Sequence, residues 1–330
     1  MRVLVIGGTS FVGRHLVARA LAAGYTMTLF NRGVTAPDLF PEAEKVRGDR
    51  DGGLAALGGR EWDAVVDTCG YVPRVVGDSA RVLAGAVDRY LFVSTLSVHP
   101  DEVEPGADED APLLDPPEDA KAEEVTDETY GPLKVACEQV VASALPDRAL
   151  IVRPGLVVGP HDPTDRFTYW VRRVAAGGEV LAPAPPEAHV QFIDVRDLAA
   201  FLLAHLEAQI VGVFSAIAPP VPMGDVLQAC RTASGSDASI TWVPEPFLRQ
   251  HDVEPWTDLP MWLPGLPGAN AFDPDRALAA GLTPRATEET VRETLEWDRA
   301  RPQTWPMGAG LDRDREAEVL AAFHRSGPSR

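Results

Sequence analysis

Up to about residue 155, short β-branched apolar runs alternate with stretches whose apolar positions recur every three to four residues. Runs at 3–6, 25–30, 44–46, 62–67, 89–94 and 150–153 read as strands. Several are apolar at almost every position, the pattern of a strand covered on both faces, as in a parallel sheet. Between them, Phe11, Val12, Leu16, Val17, Ala20 and Leu21 mark a first helix ended by Gly24. A second helix is predicted over 73–84. A third starts near Thr126 or Asp127, with Pro132 expected in its first turn, where no N–H is missed. Alternating strands and helices of this kind predict an α/β chain with a doubly wound parallel sheet. Right-handed crossovers would set the strand ends on one ligand-binding edge.

Beyond 155 the alternation loosens. A helix is predicted near 165–176, a strand over 190–193, and a helix from Asp194, its cap, to about 207. A short strand follows at 213–215, and closing helices near 273–280, 287–300 and 312–324. Residues 216–270 are rich in proline and tryptophan. Trp242, Trp256 and Trp262 are expected either to line a mostly apolar pocket or to fill the core of a smaller lobe. Residues 101–126 form an acidic, proline-bearing segment, expected to be a long surface loop or partly mobile lid with solvated carboxylates.

The first turn carries the first chemistry. Strand 3–6 runs into Gly7-Gly8-Thr9-Ser10-Phe11-Val12-Gly13 and a helix start. Paired glycines permit positive φ, and the helix N-terminus favours a phosphate. The dinucleotide fingerprint wants three glycines; Gly8 and Gly13 fit, while Ser10 stands where a glycine should be, so its Cβ puts the ideal geometry in question. At the end of the second strand, Asn31 replaces the acid that holds the ribose 2′-OH of NAD, and Arg32 follows. That exchange favours NADP(H) over NAD(H). Asp49 is expected beside the adenine. Candidate cofactor contacts are Gly7, Thr9, Ser10, Phe11, Val12, Gly13, Asn31, Arg32, Asp49, Cys69, Tyr130, Lys134 and Leu156. Residues 1–155 therefore read as a dinucleotide-binding Rossmann domain, with segments near 188–215 returning to it. Residues 156–330 read mainly as a substrate lobe with closing helices.

Tyr130 and Lys134 lie four apart on one helix face. A nearby ammonium favours the phenolate and lowers the tyrosine pKa, so that Tyr130 can exchange a proton with an alcohol or alkoxide. Thr95, at the end of the fifth strand, can bond the same oxygen. Thr95, Tyr130 and Lys134 are the candidate catalytic set. Ser97, His161, Arg166 and Gln191 are candidates for substrate contact.

Composition narrows the partners. The 330 residues are 45% hydrophobic and carry a formal net charge of −19. Such a surface attracts neither nucleic acid nor anionic membrane. Three scattered cysteines, Cys69, Cys137 and Cys230, suit neither a disulfide framework nor a metal cluster. A cytoplasmic setting without leader or membrane span is expected, with no metal and a small-molecule substrate.

The segments GGTSFVG (7–13), LFVSTLSV (91–98), YGPLK (130–134), RPGLVVGP (153–160), QFIDVRDLA (191–199) and GLTPR…TVRETLEW (281–297) resemble the extended or atypical branch of the short-chain dehydrogenase/reductases, the NAD-dependent epimerase/dehydratase-like proteins. The resemblance implies a Rossmann domain with a small C-terminal substrate lobe, Thr95, Tyr130 and Lys134 as catalytic residues, Gly7, Ser10 and Gly13 as glycine motif, and a homodimer. The chain also departs from that pattern. Leu96-Ser97 stand where dehydratases carry an Asp-Glu pair. Leu156 stands where nucleotide-sugar enzymes place an asparagine. These departures predict an NADP(H)-preferring oxidoreductase of a small, mainly apolar carbonyl or alcohol. The alternatives are an NAD-dependent sugar epimerase/dehydratase, or a catalytically idle relative that senses the cofactor or binds RNA.

Overall fold

The computed structural model describes residues 1–119, 123–302 and 305–327. Its centre is a seven-stranded parallel sheet. The strands are β1 (Arg2–Ile6), β2 (Thr26–Asn31), β3 (Glu44–Arg47), β4 (Trp62–Asp67), β5 (Val87–Val93), β6 (Ala149–Pro154) and β11 (Gly212–Ala216). Their spatial order is β11-β6-β5-β4-β1-β2-β3, so the winding reverses between β1 and β4 and opens a crevice there. The predicted Rossmann class is the one observed.

Period-2 alternation in β1 explains why the sheet is covered on both sides. Val3 and Val5 face a core shared with α1 (Phe11–Ala22) and α5 (Val195–Glu207), through Leu16, Val17, Leu198 and Leu202. Leu4 and Ile6 face the opposite core, with Val76 and Ala80 of α2 (Pro73–Leu83) and Cys137 and Val141 of α3 (Asp127–Ala144). Each strand end is therefore fixed by burial from two directions.

Most of the remaining elements pack around a second core: β7 (Val157–Val158), α4 (Arg166–Ala175), β8 (Glu179–Pro183), β9 (His189–Val190), β12 (Val221–Pro222), α6 (Met223–Ser234), β13 (Ser239–Val243), α7 (Glu245–Gln250), α9 (Thr287–Ala300) and α10 (Arg313–Ser326). β10 (Ile193–Asp194) and α8 (Asp275–Ala279) instead join the core against the sheet, through Ile193 and Ala277. The former, smaller group of elements has a core of its own. Phe167, Trp170, Leu181, Leu227, Val243, Trp262 and Leu295 share its core. Trp262 thus fills the lobe, Trp242 packs against that core, and Trp256 lies under the Arg166 guanidinium, 4.7 Å from ring centre to Cζ. Asp194 caps α5, accepting the Arg196 N–H at 2.8 Å. Among the described residues no helix is long and apolar enough to cross a membrane.

Three expectations change. The strand over 190–193 is two bridges: β9 pairs with β12, β10 pairs with β7, and the chain changes partner across Gln191 and Phe192. Pro132 sits in the sixth position of α3, because the capping box of Thr126 and Thr129 starts the helix at Asp127. Its missing N–H leaves the Glu128 carbonyl without a helical donor. The acidic segment is anchored. Glu109 is buried, its carboxylate accepting the Ser215 N–H at 2.6 Å and meeting Arg276 at 3.1 Å, while Leu114 N donates to the Val98 carbonyl. Part of that segment, 120–122, lies outside the described residues.

Candidate active site

The glycine turn closes as tightly as its sequence demands. Gly7 and Gly8 have φ of +104° and +90°. A Cβ on Gly13 would fall 2.8 Å from the Gly8 Cα, so only glycine lets α1 start against the turn. Ser10 is the N-cap of α1, with φ −117° and ψ 151°. That is ordinary extended backbone, so its Cβ introduces no strain. The Ser10 hydroxyl makes no capping bond and the first turn of α1 holds no acid. The positive end of the helix is thus left for an outside anion.

This turn forms one wall of a cavity of about 640 Å³. Of the candidate cofactor residues, Gly7, Thr9, Ser10, Phe11, Val12, Gly13, Asn31, Arg32, Asp49 and Cys69 line it. Asn31 is engaged in the fold: its amide donates to the Gly7 carbonyl at 2.8 Å, and its oxygen accepts from Gly33 N at 3.0 Å and from Arg47. Arg32 is exposed at the rim and forms no ion pair among the described residues. Cys69 donates to the Ile6 carbonyl, and burial pushes its thiol up to about 11, which keeps it protonated.

Sequence reasoning missed Arg50 and Asp67. Arg50 lines the same cavity and grips the fully buried Asp67 through two bonds of 2.9 and 2.7 Å. The available signal was a Gly-Asp-Arg sequence at the end of β3 and an acid at the end of β4, the next strand along the chain.

Beyond this cavity lies the second cluster. Thr95 sits just past β5, where its oxygen accepts the Ser97 N–H at 3.1 Å and its hydroxyl donates to Ser97 Oγ at 3.2 Å. Gly131 brings α3 onto this turn; a Cβ there would lie 2.2 Å from the Ser97 carbonyl. The approach sets the Tyr130 phenol close enough to the Thr95 side chain for that hydroxyl to favour the phenolate. The Tyr130 and Tyr71 rings lie 6.4 Å apart.

Lys134 is buried. Its Nζ donates to the carbonyls of Gly70 (2.9 Å) and Val93 (2.8 Å) and lies 4.1 Å from the Phe92 ring centre. Two of three ammonium donors are engaged, leaving one. Burial lowers its pKa from 10.5 to about 8. The Tyr130 pKa is raised, contrary to the expectation, because burial outweighs the lowering contact with Thr95. Lys134 faces backbone carbonyls rather than the phenol.

The depressed lysine pKa has a consequence for stability. Below pH 8 folded and unfolded chains both carry the Lys134 proton, and the cost of burying the charge is fully present. Between pH 8 and 10.5 only the unfolded chain holds it, so stability gains a rising component with pH. Urea unfolding between pH 7 and 10 should show this component in the wild type and lose it in Lys134→Met. An unchanged slope would contradict the assignment.

The remaining candidates lie elsewhere. Gln191 is buried with its amide occupied: Nε2 donates to Ala218 O and Phe272 O, and Oε1 accepts from Phe272 N. It is a structural tie, with no amide face left for a substrate. His161, at φ +70°, lies between the tilted rings of His15 (5.8 Å) and Trp297 (5.4 Å), beside α1, and burial lowers its pKa to about 4. Leu156 packs against the small-lobe core. Among the described residues no cluster of His, Cys, Asp and Glu could hold a metal ion.

Residues 3–214 match the model of the NAD dependent epimerase/dehydratase family. The chain belongs to that family. No curated protein matches it. Solved structures of family-like fold include a Burkholderia cenocepacia J2315 protein provisionally termed an epimerase, with TM-score 0.70, 20% identity, and 91% of this chain and 98% of that chain covered. A UDP-Glc/GlcNAc 4-epimerase from Campylobacter jejuni superposes with TM-score 0.69 at 15% identity, over 91% and 99% of the two chains. A UDP-glucuronic acid 4-epimerase from Bacillus cereus, in complex with NAD, does so with TM-score 0.66 at 16% identity, over 91% and 99%. At these identities the likeness speaks for the fold alone. Family membership corrects the emphasis on a carbonyl reductase: the epimerase/dehydratase alternative has the better support.

Proposed function

We propose that this family member is a nicotinamide-dinucleotide enzyme acting on a hydroxyl-bearing carbon of a sugar-like substrate, in the manner of an epimerase. The observation that carries this reading is the placement of the Tyr130 phenol beside Thr95 at the strand edge, one helical turn from the buried Lys134. The turn at Gly7–Gly13 suits the pyrophosphate, because α1 begins there with no acid and no capping side chain. When bound, the dinucleotide supplies a reversible hydride acceptor at the substrate carbon. Tyr130 takes the hydroxyl proton and gives it back, Thr95 bonds the same oxygen, and the free donor of Lys134 serves the ribose. Leu96 and Ser97 offer no carboxylate beside Thr95. Loss of water therefore has no acid–base pair in that place.

Arg32 favours a second reading, that of an NADP(H)-dependent reductase of a small carbonyl compound, since an unpaired cation at the rim suits a ribose 2′-phosphate. One experiment separates the two. The purified protein is dialysed and its nucleotide content assayed, and then it is given nucleotide sugars deuterated at the candidate carbinol. Retained NAD and an isomerised product that keeps its deuterium are expected. Dinucleotide that washes out, with net NADPH consumption on ketones, would overturn the epimerase reading in favour of the reductase.

A further inference from the structure

We propose that Arg50 is a flat platform for the adenine ring of the dinucleotide. The inference rests on the reading of the 640 Å³ cavity as a dinucleotide site. It follows from counting the donors of the Arg50 guanidinium, which has five N–H groups around its edge.

Nη1 donates to Asp67 Oδ1 at 2.9 Å and to Cys69 Sγ at 3.9 Å. Nη2 donates to Asp67 Oδ2 at 2.7 Å and to Ser79 Oγ at 3.1 Å. The fifth N–H, on Nε, has no partner among the described residues and is sealed from solvent. No edge of the group is open to a ligand, yet Arg50 lines the cavity. With the edge occupied, the face of the plane is what remains of the group for a ligand. Phosphate and carboxylate need the edge of a guanidinium; an aromatic ring uses its face.

Asp67 fixes that plane. It is fully buried and also accepts the Tyr90 hydroxyl at 2.9 Å and the Cys69 N–H at 3.2 Å, so the fork it offers Arg50 cannot swing. Around the platform, Gly48, Asp49 and Asp51 come from the end of β3, and Val72 and Val75 supply apolar wall. A flat heterocycle suits such a slot. Division of labour with Arg32 follows: the unpaired rim cation is left for phosphate, while the paired one underneath takes the base.

Calorimetric titration of the full chain with AMP, ADP-ribose and nicotinamide mononucleotide tests this. Arg50→Lys keeps a cation for Asp67 but loses the plane. Arg50→Met/Asp67→Asn removes the pair together and so guards against an unpaired buried acid that would unfold the protein. Both variants should bind AMP and ADP-ribose about tenfold more weakly, with nicotinamide mononucleotide affinity unchanged. Unaltered AMP affinity in either folded variant, or equal losses for all three ligands, would overturn the platform. A wild-type protein that binds neither AMP nor ADP-ribose would overturn the dinucleotide reading itself, a separate and visible failure.

Discussion

Tyr130→Phe is expected to lower kcat by about 10²–10⁴-fold, the range typical of removing a general acid–base group. The ring stays, so packing near Tyr71 and the course of α3 are preserved. Only the hydroxyl beside Thr95 goes. ADP-ribose affinity should therefore be unchanged, and the loss should fall on kcat rather than on cofactor binding. The pH profile gives an independent reading. Burial raises the Tyr130 pKa, so the proton-accepting phenolate is scarce at neutral pH. In the wild type the rate of alcohol oxidation should rise with pH; in Tyr130→Phe that rise should vanish. A variant with the wild-type rate would remove Tyr130 from the mechanism.

Glu138→Leu is expected to destabilise the protein by about 3–5 kcal/mol, the usual effect of removing one partner of a buried ion pair. Glu138 lies one turn beyond Lys134 on α3, and Arg153 is near the end of β6. Their side chains are 7% and 4% exposed and joined at 2.7 and 3.0 Å. Ser94, beside Thr95, donates its hydroxyl to the same carboxylate, and Arg153 also holds the Glu109 carbonyl at 3.1 Å. Leucine would leave Arg153 buried without its counter-charge. Replacing both, as Glu138→Leu/Arg153→Met, should recover most of the loss, since the penalty lies in the stranded charge more than in the missing bond. Urea unfolding of the three proteins decides it. A single-variant loss under about 1 kcal/mol, or a double variant no better than the single, would show that the pair is not acting as described.

The dinucleotide half was legible because its signals are local. A β-branched run, two glycines and a helical period are neighbours in sequence, and Tyr130 and Lys134 share a face by spacing alone. What sequence could not show depends on contacts between distant segments. Arg50 meets Asp67 across two strands, and Glu138 meets Arg153 from helix to sheet. Gln191 looked available to a substrate until the backbone of Phe272 and Ala218 was seen around its amide. The direction of the Tyr130 shift is hidden from sequence for a related reason: spacing points to Lys134 as the dominant influence, whereas the burial that raises the pKa has no sequence signature. The two-residue strands of the small lobe are too short for any period to register.

The edge strand β11 has a consequence for engineering by recombination. It pairs with β6 through five residues, Gly212 to Ala216, after the chain has already visited the smaller lobe, and the chain then departs a second time. The two cores consequently share the chain at more than one junction: before and after α5 and β11, and again around α8, where Ala277 and Leu282 return to the core behind the sheet. A chimera that imports a relative's smaller core must be spliced at each. A single crossover near residue 155 would exchange the seventh strand and α5 as well, and with them part of the core behind the glycine turn.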